Sequence, residues 1–182
     1  MNINDNLLKK ADIEKIAKEG QTIYSKIKTQ YEPKENGRYL AIEIDSKEVF
    51  LGKTGVEATI KARHKYPNKI FYLVKIGFTA AETIARTYFP WSTAFSGDLQ
   101  ITPKIAKELG LKSTNIVRVQ IANGQIVNVP VALALASMEG KKNYIQVLIS
   151  ESAPLLGINF LSKFFYKAIV DCKNKTVILK KA

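Results

Sequence analysis

A chain of 182 residues, 46% hydrophobic and 24% charged, has the length and apolar content for one or two globular domains, which excludes collagen, coiled coil and wholesale disorder. The formal net charge of +12 suits an anionic partner, yet the excess lysines are spread along the chain with no basic block longer than two residues, a pattern that reads first as a solvated lysine-rich surface. A single cysteine, Cys172, and a single histidine, His64, exclude an internal disulfide, a Cys/His zinc site, Cys–His catalysis and a Cys-x-x-Cys redox pair.

The start of the chain, Met1-Asn2-Ile3-Asn4-Asp5, carries neither the charged nor the apolar region of a secretion signal. The longest uncharged apolar run, Val129 to Ala136, contains Pro130 and is far shorter than the roughly 20 residues that span a bilayer. A cytoplasmic protein with no membrane contact is the expectation.

From Leu7 to about Tyr31, apolar residues recur at helical spacing among lysines and glutamates, predicting an amphipathic helix broken near Gly20 and ended by Pro33, Asn36 and Gly37. An alternating strand over Arg38 to Ile44 and a second at Val49 to Gly52 follow. Thr54 and Glu57 have capping-box spacing, so a helix runs from there to about Lys65 and stops before Pro67. A strand at Ile70 to Ile76 completes a ββαβ unit, which resembles a small prokaryotic domain of unknown function.

After Gly77 the pattern becomes mainly β. Thr102-Pro103 opens a short helix that Gly110 closes. Strands at Ile116 to Ile121 and Gln125 to Val131 flank Asn123-Gly124, a strong hairpin signal. A second hairpin pairs Ala132 to Met138 with Tyr144 to Ile149. Pro154 precedes a short apolar turn or helix, Leu155 to Leu161, and strands at Tyr166 to Val170 and Thr176 to Lys180 end the chain.

Two segments of this half, taken together, resemble the retropepsin-like aspartic proteases. Ser92-Thr93-Ala94-Phe95-Ser96-Gly97-Asp98-Leu99, followed by the Thr102-Pro103 helix and Leu109-Gly110-Leu111, stands where family members read Asp-Thr-Gly-Phe-Ser/Thr-Gly-x-Leu and a proline-started helix ending in Leu-Gly-Leu. Leu155-Leu156-Gly157-Ile158-Asn159-Phe160-Leu161 matches the family's late Leu-Leu-Gly segment. The resemblance covers roughly residues 70 to 182. It implies a mainly β fold, α+β overall, in which a closed retropepsin-like barrel with short helices occupies residues 78–182 behind a helix at 1–35 and the ββαβ module at 36–77.

In that family two carboxylates about 3 Å apart share one proton and activate water, since like charges so close cannot both stay ionised. Each chain of a symmetric homodimer supplies one. Here the resemblance puts Ser92 where the carboxylate belongs, Thr93 where a hydroxyl locks the two loops together, and Ala94 where glycine belongs. Serine does not ionise at ordinary pH, so the catalytic loop is degenerate. Trp91 replaces an aliphatic residue, and three departures in four positions read as natural loss of the site. Asp98 falls at a variable position expected inside the next strand, and Asp171 belongs to the last turn. Ser92 as a nucleophile would need a base, and His64 lies on an exposed helix of the other unit. Asn123 and Gly124 correspond to the tip of the family's flap, which closes over a bound peptide. Gly157 permits a close backbone approach, and Leu155 to Leu161 is core beneath the loop.

The resulting expectation is a pseudoprotease without cofactor or metal, a homodimeric module that holds an extended peptide or protein segment. Two other readings stay open: an aspartic endopeptidase whose aspartate has been substituted in this sequence, and a basic nucleic-acid-binding protein.

Overall fold

The structure is a computed structural model and describes residues 10–79, 82–84, 95–121, 123–171, 173–174 and 176–182. Helix α1, Lys10–Ile27, runs without interruption into a 3-10 turn at Lys28–Gln30. No break occurs at Gly20. Instead this glycine is buried against Tyr72, and a Cβ there would lie 2.3 Å from the Cβ of that tyrosine. The helix interior accepts glycine because the sheet comes too close for any side chain.

Strands β1, Tyr39–Ile42, and β2, Val49–Gly52, form an antiparallel pair. Helix α2, Gly55–Lys65, begins as its capping pattern requires: the Thr54 hydroxyl accepts from the Glu57 amide at 3.1 Å, and Glu57 reaches back to the Lys53 amide at 2.9 Å. β3, Phe71–Lys75, returns antiparallel to β1. The short β4, Glu82–Ile84, and β5, Leu99–Ile101, lead to helix α3, Pro103–Glu108, capped by Thr102 and closed by Gly110 at a φ of +63°.

β6, Ser113–Ile121, pairs with β7, Ile126–Met138. β7 is one strand of 13 residues where the alternation predicts two. It pairs with β6 over Ile126 to Ala132 and with β8, Lys141–Ile149, over Val131 to Met138, so a single strand serves both hairpins. Pro130, which has no amide hydrogen to give, sits at the changeover, just before the pairing with β8 begins. The second hairpin turns through Glu139 and Gly140, both at positive φ, as a two-residue turn demands. β9, Leu155–Leu156, then α4, Ile158–Lys163, and the separate antiparallel ribbon of β10, Tyr166–Asp171, and β11, Thr176–Lys181, complete the order.

The predicted closed barrel is not what these strands build. They form a nine-stranded mixed sheet in the order β2-β1-β3-β6-β7-β8-β5-β9, with β4 also against β6, and among the described residues its two ends do not join. The architecture is mixed α/β with an open sheet. The physical reason is the parallel pairing of β3 with β6, Phe71 beside Asn115 through Leu73 beside Val117, which adds the ββαβ strands to the side of the hairpin.

Alternation along the strands gives the sheet two covered faces. On one, α2 packs Ala58 and Ala62 into a core with Phe71, Leu73, Val117, Val131 and Leu148, joined by Phe95 and Leu155. On the other, α1 covers Leu40, Ile42, Tyr72 and Ile116, while Ala106 of α3 and Phe164 after α4 cover Ala132, Ile145 and Val147.

Candidate functional site

Ser92, Thr93 and Ala94, with Trp91, lie outside the described residues. The residues that flank them are placed. Ile84, the last of β4, stands in register with Ile121 at the end of β6, and Phe95, where the described chain resumes, is fully buried.

From Phe95 onward the two segments that carry the family resemblance meet. The Gly157 amide donates to the Asp98 carbonyl at 2.9 Å and the Ile158 amide to the Phe95 carbonyl at 3.1 Å. β5 then runs antiparallel to β9, with Leu99 opposite Leu156, and parallel to β8 on its other side. The crossing is too tight for side chains. A Cβ on Gly157 would lie 1.9 Å from the Gly97 carbonyl oxygen, and one on Gly97 would lie 2.5 Å from the Phe95 ring. The expected close approach at Gly157 is thus an approach to Gly97, over the ring of Phe95.

Asp98 does not lie inside β5 but just before it, and it is buried at 4% exposure. Its Oδ2 accepts from the Gln146 amide at 2.8 Å and from Lys163 Nζ at 2.5 Å, and Lys163 also donates to the Tyr144 carbonyl at 3.1 Å. Through Oδ2 the carboxylate forms an ion pair that ties the entry of β5 to β8 and the end of α4, while its buried Oδ1 has no hydrogen-bond partner among the described residues. No local pattern announces this pair, because its partners stand 65 residues apart.

Asn123 and Gly124 form the exposed tip of the β6–β7 hairpin. Asn123 Oδ1 accepts from the Gln125 amide at 3.0 Å, the Gly124 amide donates to the Ile121 carbonyl at 2.8 Å, and Gly124 has a φ of +82° that favours glycine. Nothing lies within 4 Å of where a Gly124 Cβ would be, so the tip faces open space. The described residues place β4, which leads toward Ser92, beside the tip end of β6.

Two of the remaining candidates lie among the described residues. His64 is exposed on α2. Asp171 accepts from the backbone amides of Lys173 and Asn174 and from the Asn174 side chain, and these bonds, the Asn174 amide foremost, hold its carboxyl below the usual range. Cys172 lies outside the described residues. Among the described residues no group of three or more His, Cys, Asp or Glu could hold a metal ion, and no helix is long and apolar enough to cross a membrane. No protein-family model matches this chain, and neither does any curated protein or solved structure.

Proposed function

We propose that this chain is a pseudoprotease related to the retropepsins, a homodimeric module that holds an extended peptide or protein segment and does not cut it. The observation that carries this reading is the crossing of Phe95–Asp98 with Gly157–Ile158, where two glycines permit backbone contact directly after the Ser92-Thr93-Ala94 segment. A contact of this kind fixes the backbone from Phe95 onward, and a site shared across a two-fold axis needs rigid support of that kind. The β6–β7 hairpin supplies an arm with an exposed turn, and extended ligands bind such arms through main-chain hydrogen bonds.

The chemistry is absent for two reasons. Ser92 carries no ionisable acid, and Asp98 is already paired with Lys163. Restoring the acid tests the reading. Ser92→Asp combined with Ala94→Gly should yield peptide cleavage that pepstatin inhibits, while the unaltered chain yields none. Sedimentation velocity at tens of micromolar should show a species twice the 20.3 kDa chain mass. A lone 20 kDa species, with no cleavage by the restored variant, would remove the basis for the proposal.

A further inference from the structure

Where α1 lies over the sheet it leaves an open groove on the face opposite the one that holds Phe95 and Leu155. Two cavities of about 420 Å³ and 330 Å³ line this groove, and they share Gln21 and Arg118. Four cations border it: Lys15 and Lys18 on α1, Lys28 just beyond its end, and Arg118 on β6. The thirteen steps from Lys15 to Lys28 correspond to about 20 Å of helix.

The charge of this groove is not internally balanced. Its two carboxylates are each engaged by a neutral donor: Glu14 accepts from Asn128 Nδ2 at 3.0 Å and Glu32 from the Tyr24 hydroxyl at 2.6 Å. None of Lys15, Lys18, Lys28 and Arg118 takes part in a close ion pair among the described residues, although the Asp45 carboxylate lies within electrostatic reach of Lys15, and Arg118 meets the hydroxyl of buried Tyr72. At one end of the groove the ring of Phe78 is 53% exposed, with Lys75 Nζ 4.5 Å from its centroid. A large aromatic beside a cation on an otherwise polar surface suits a stacking base, whereas an acidic peptide would need the cations alone.

We propose that this groove binds single-stranded nucleic acid, with phosphodiesters along Lys15, Lys18, Arg118 and Lys28 and a base against Phe78. The groove borders the β6–β7 hairpin through Arg118 and Asn128, but the proposal does not rest on the peptide-binding reading. Single-stranded contacts release counterions, each contributing roughly −0.7 to the slope of log affinity against log salt, so three or four contacts give a slope of about −2 to −3.

The test is fluorescence anisotropy with labelled 12-mers of uridine and of thymidine, between 50 and 200 mM salt. The full chain should bind with that slope. Lys15→Glu/Lys18→Glu/Lys28→Glu should weaken binding at least tenfold, and Phe78→Ala about fivefold. Lys104→Glu/Lys107→Glu/Lys112→Glu makes the same change in net charge on exposed lysines outside the groove and should leave affinity within twofold. Equal losses in both triple variants would reduce the effect to overall charge and overturn the site. No binding at 50 mM salt would overturn it as well, and so would displacement by polyglutamate at matched charge, which would assign the groove to an acidic protein.

Discussion

The carbonyl oxygen of Gly97 occupies the space where a side chain on Gly157 would begin, 1.9 Å from its Cβ position. The obstacle is backbone, so no rotamer change relieves it. Gly157→Ala should therefore cost about 3 kcal/mol, at the upper end of overpacking penalties. Gly124→Ala meets no atom and pays only for its positive φ, about 1 kcal/mol. Urea midpoints of the two variants measure the difference, and equal losses would mean that the segments do not cross.

Asp98 and Lys163 should behave as a coupled pair. Removing one partner leaves a charge in a place built for two, and because Lys163 is 27% exposed the cost falls near the low end, about 2 to 3 kcal/mol for Asp98→Asn or Lys163→Met. The double variant should lose less than the two single losses combined, with a coupling of about 1 kcal/mol or more. Additive losses in a denaturation cycle would place the two residues apart.

Gly20→Ala offers a test in which two effects have opposite signs. Alanine favours helix over glycine by about 1 kcal/mol, yet a Cβ at Gly20 would collide with the side chain of Tyr72. The packing effect should win, and the variant should unfold at a lower urea concentration than the parent. A gain in stability would show α1 to be free of the sheet.

Tyr24 connects pH to the docking of α1. Burial first, and then its hydrogen bond to Glu32, push its hydroxyl from the ordinary 10.0 up to about 12. The folded chain therefore keeps a proton that the unfolded chain releases above about pH 10. The stability from this group is complete below pH 10 and is lost as pH rises through 12. Tyr24→Phe should give a shallower decline between pH 10 and 12 in chemical denaturation, and an unchanged decline would assign the slope to other groups.

Features set by neighbours three or four residues apart were legible in the sequence. The caps at Thr54 and Thr102, the glycine stop at Gly110 and the turn at Asn123-Gly124 all act over one helical turn or one hairpin. The pairing of distant segments was not. Alternation cannot say that β7 continues from Val131 into Ala132, because its residues face the same way whether one strand or two is present. Nor does any short pattern specify that β3 lies parallel to β6, and that pairing makes the sheet open where the resemblance predicted a closed barrel. At the candidate site, Gly157 was readable as a close approach because only glycine tolerates one. The pairing of Asp98 with Lys163 left no local trace.

Binding without cleavage can be read by incubating the native chain with a peptide library derived from denatured proteins, followed by mass spectrometry of the bound and free fractions. The bound fraction should be enriched in extended peptides that are all intact between pH 4 and 7. Pepstatin-sensitive fragments from the native chain, or a bound fraction identical in composition to the free one, would contradict it.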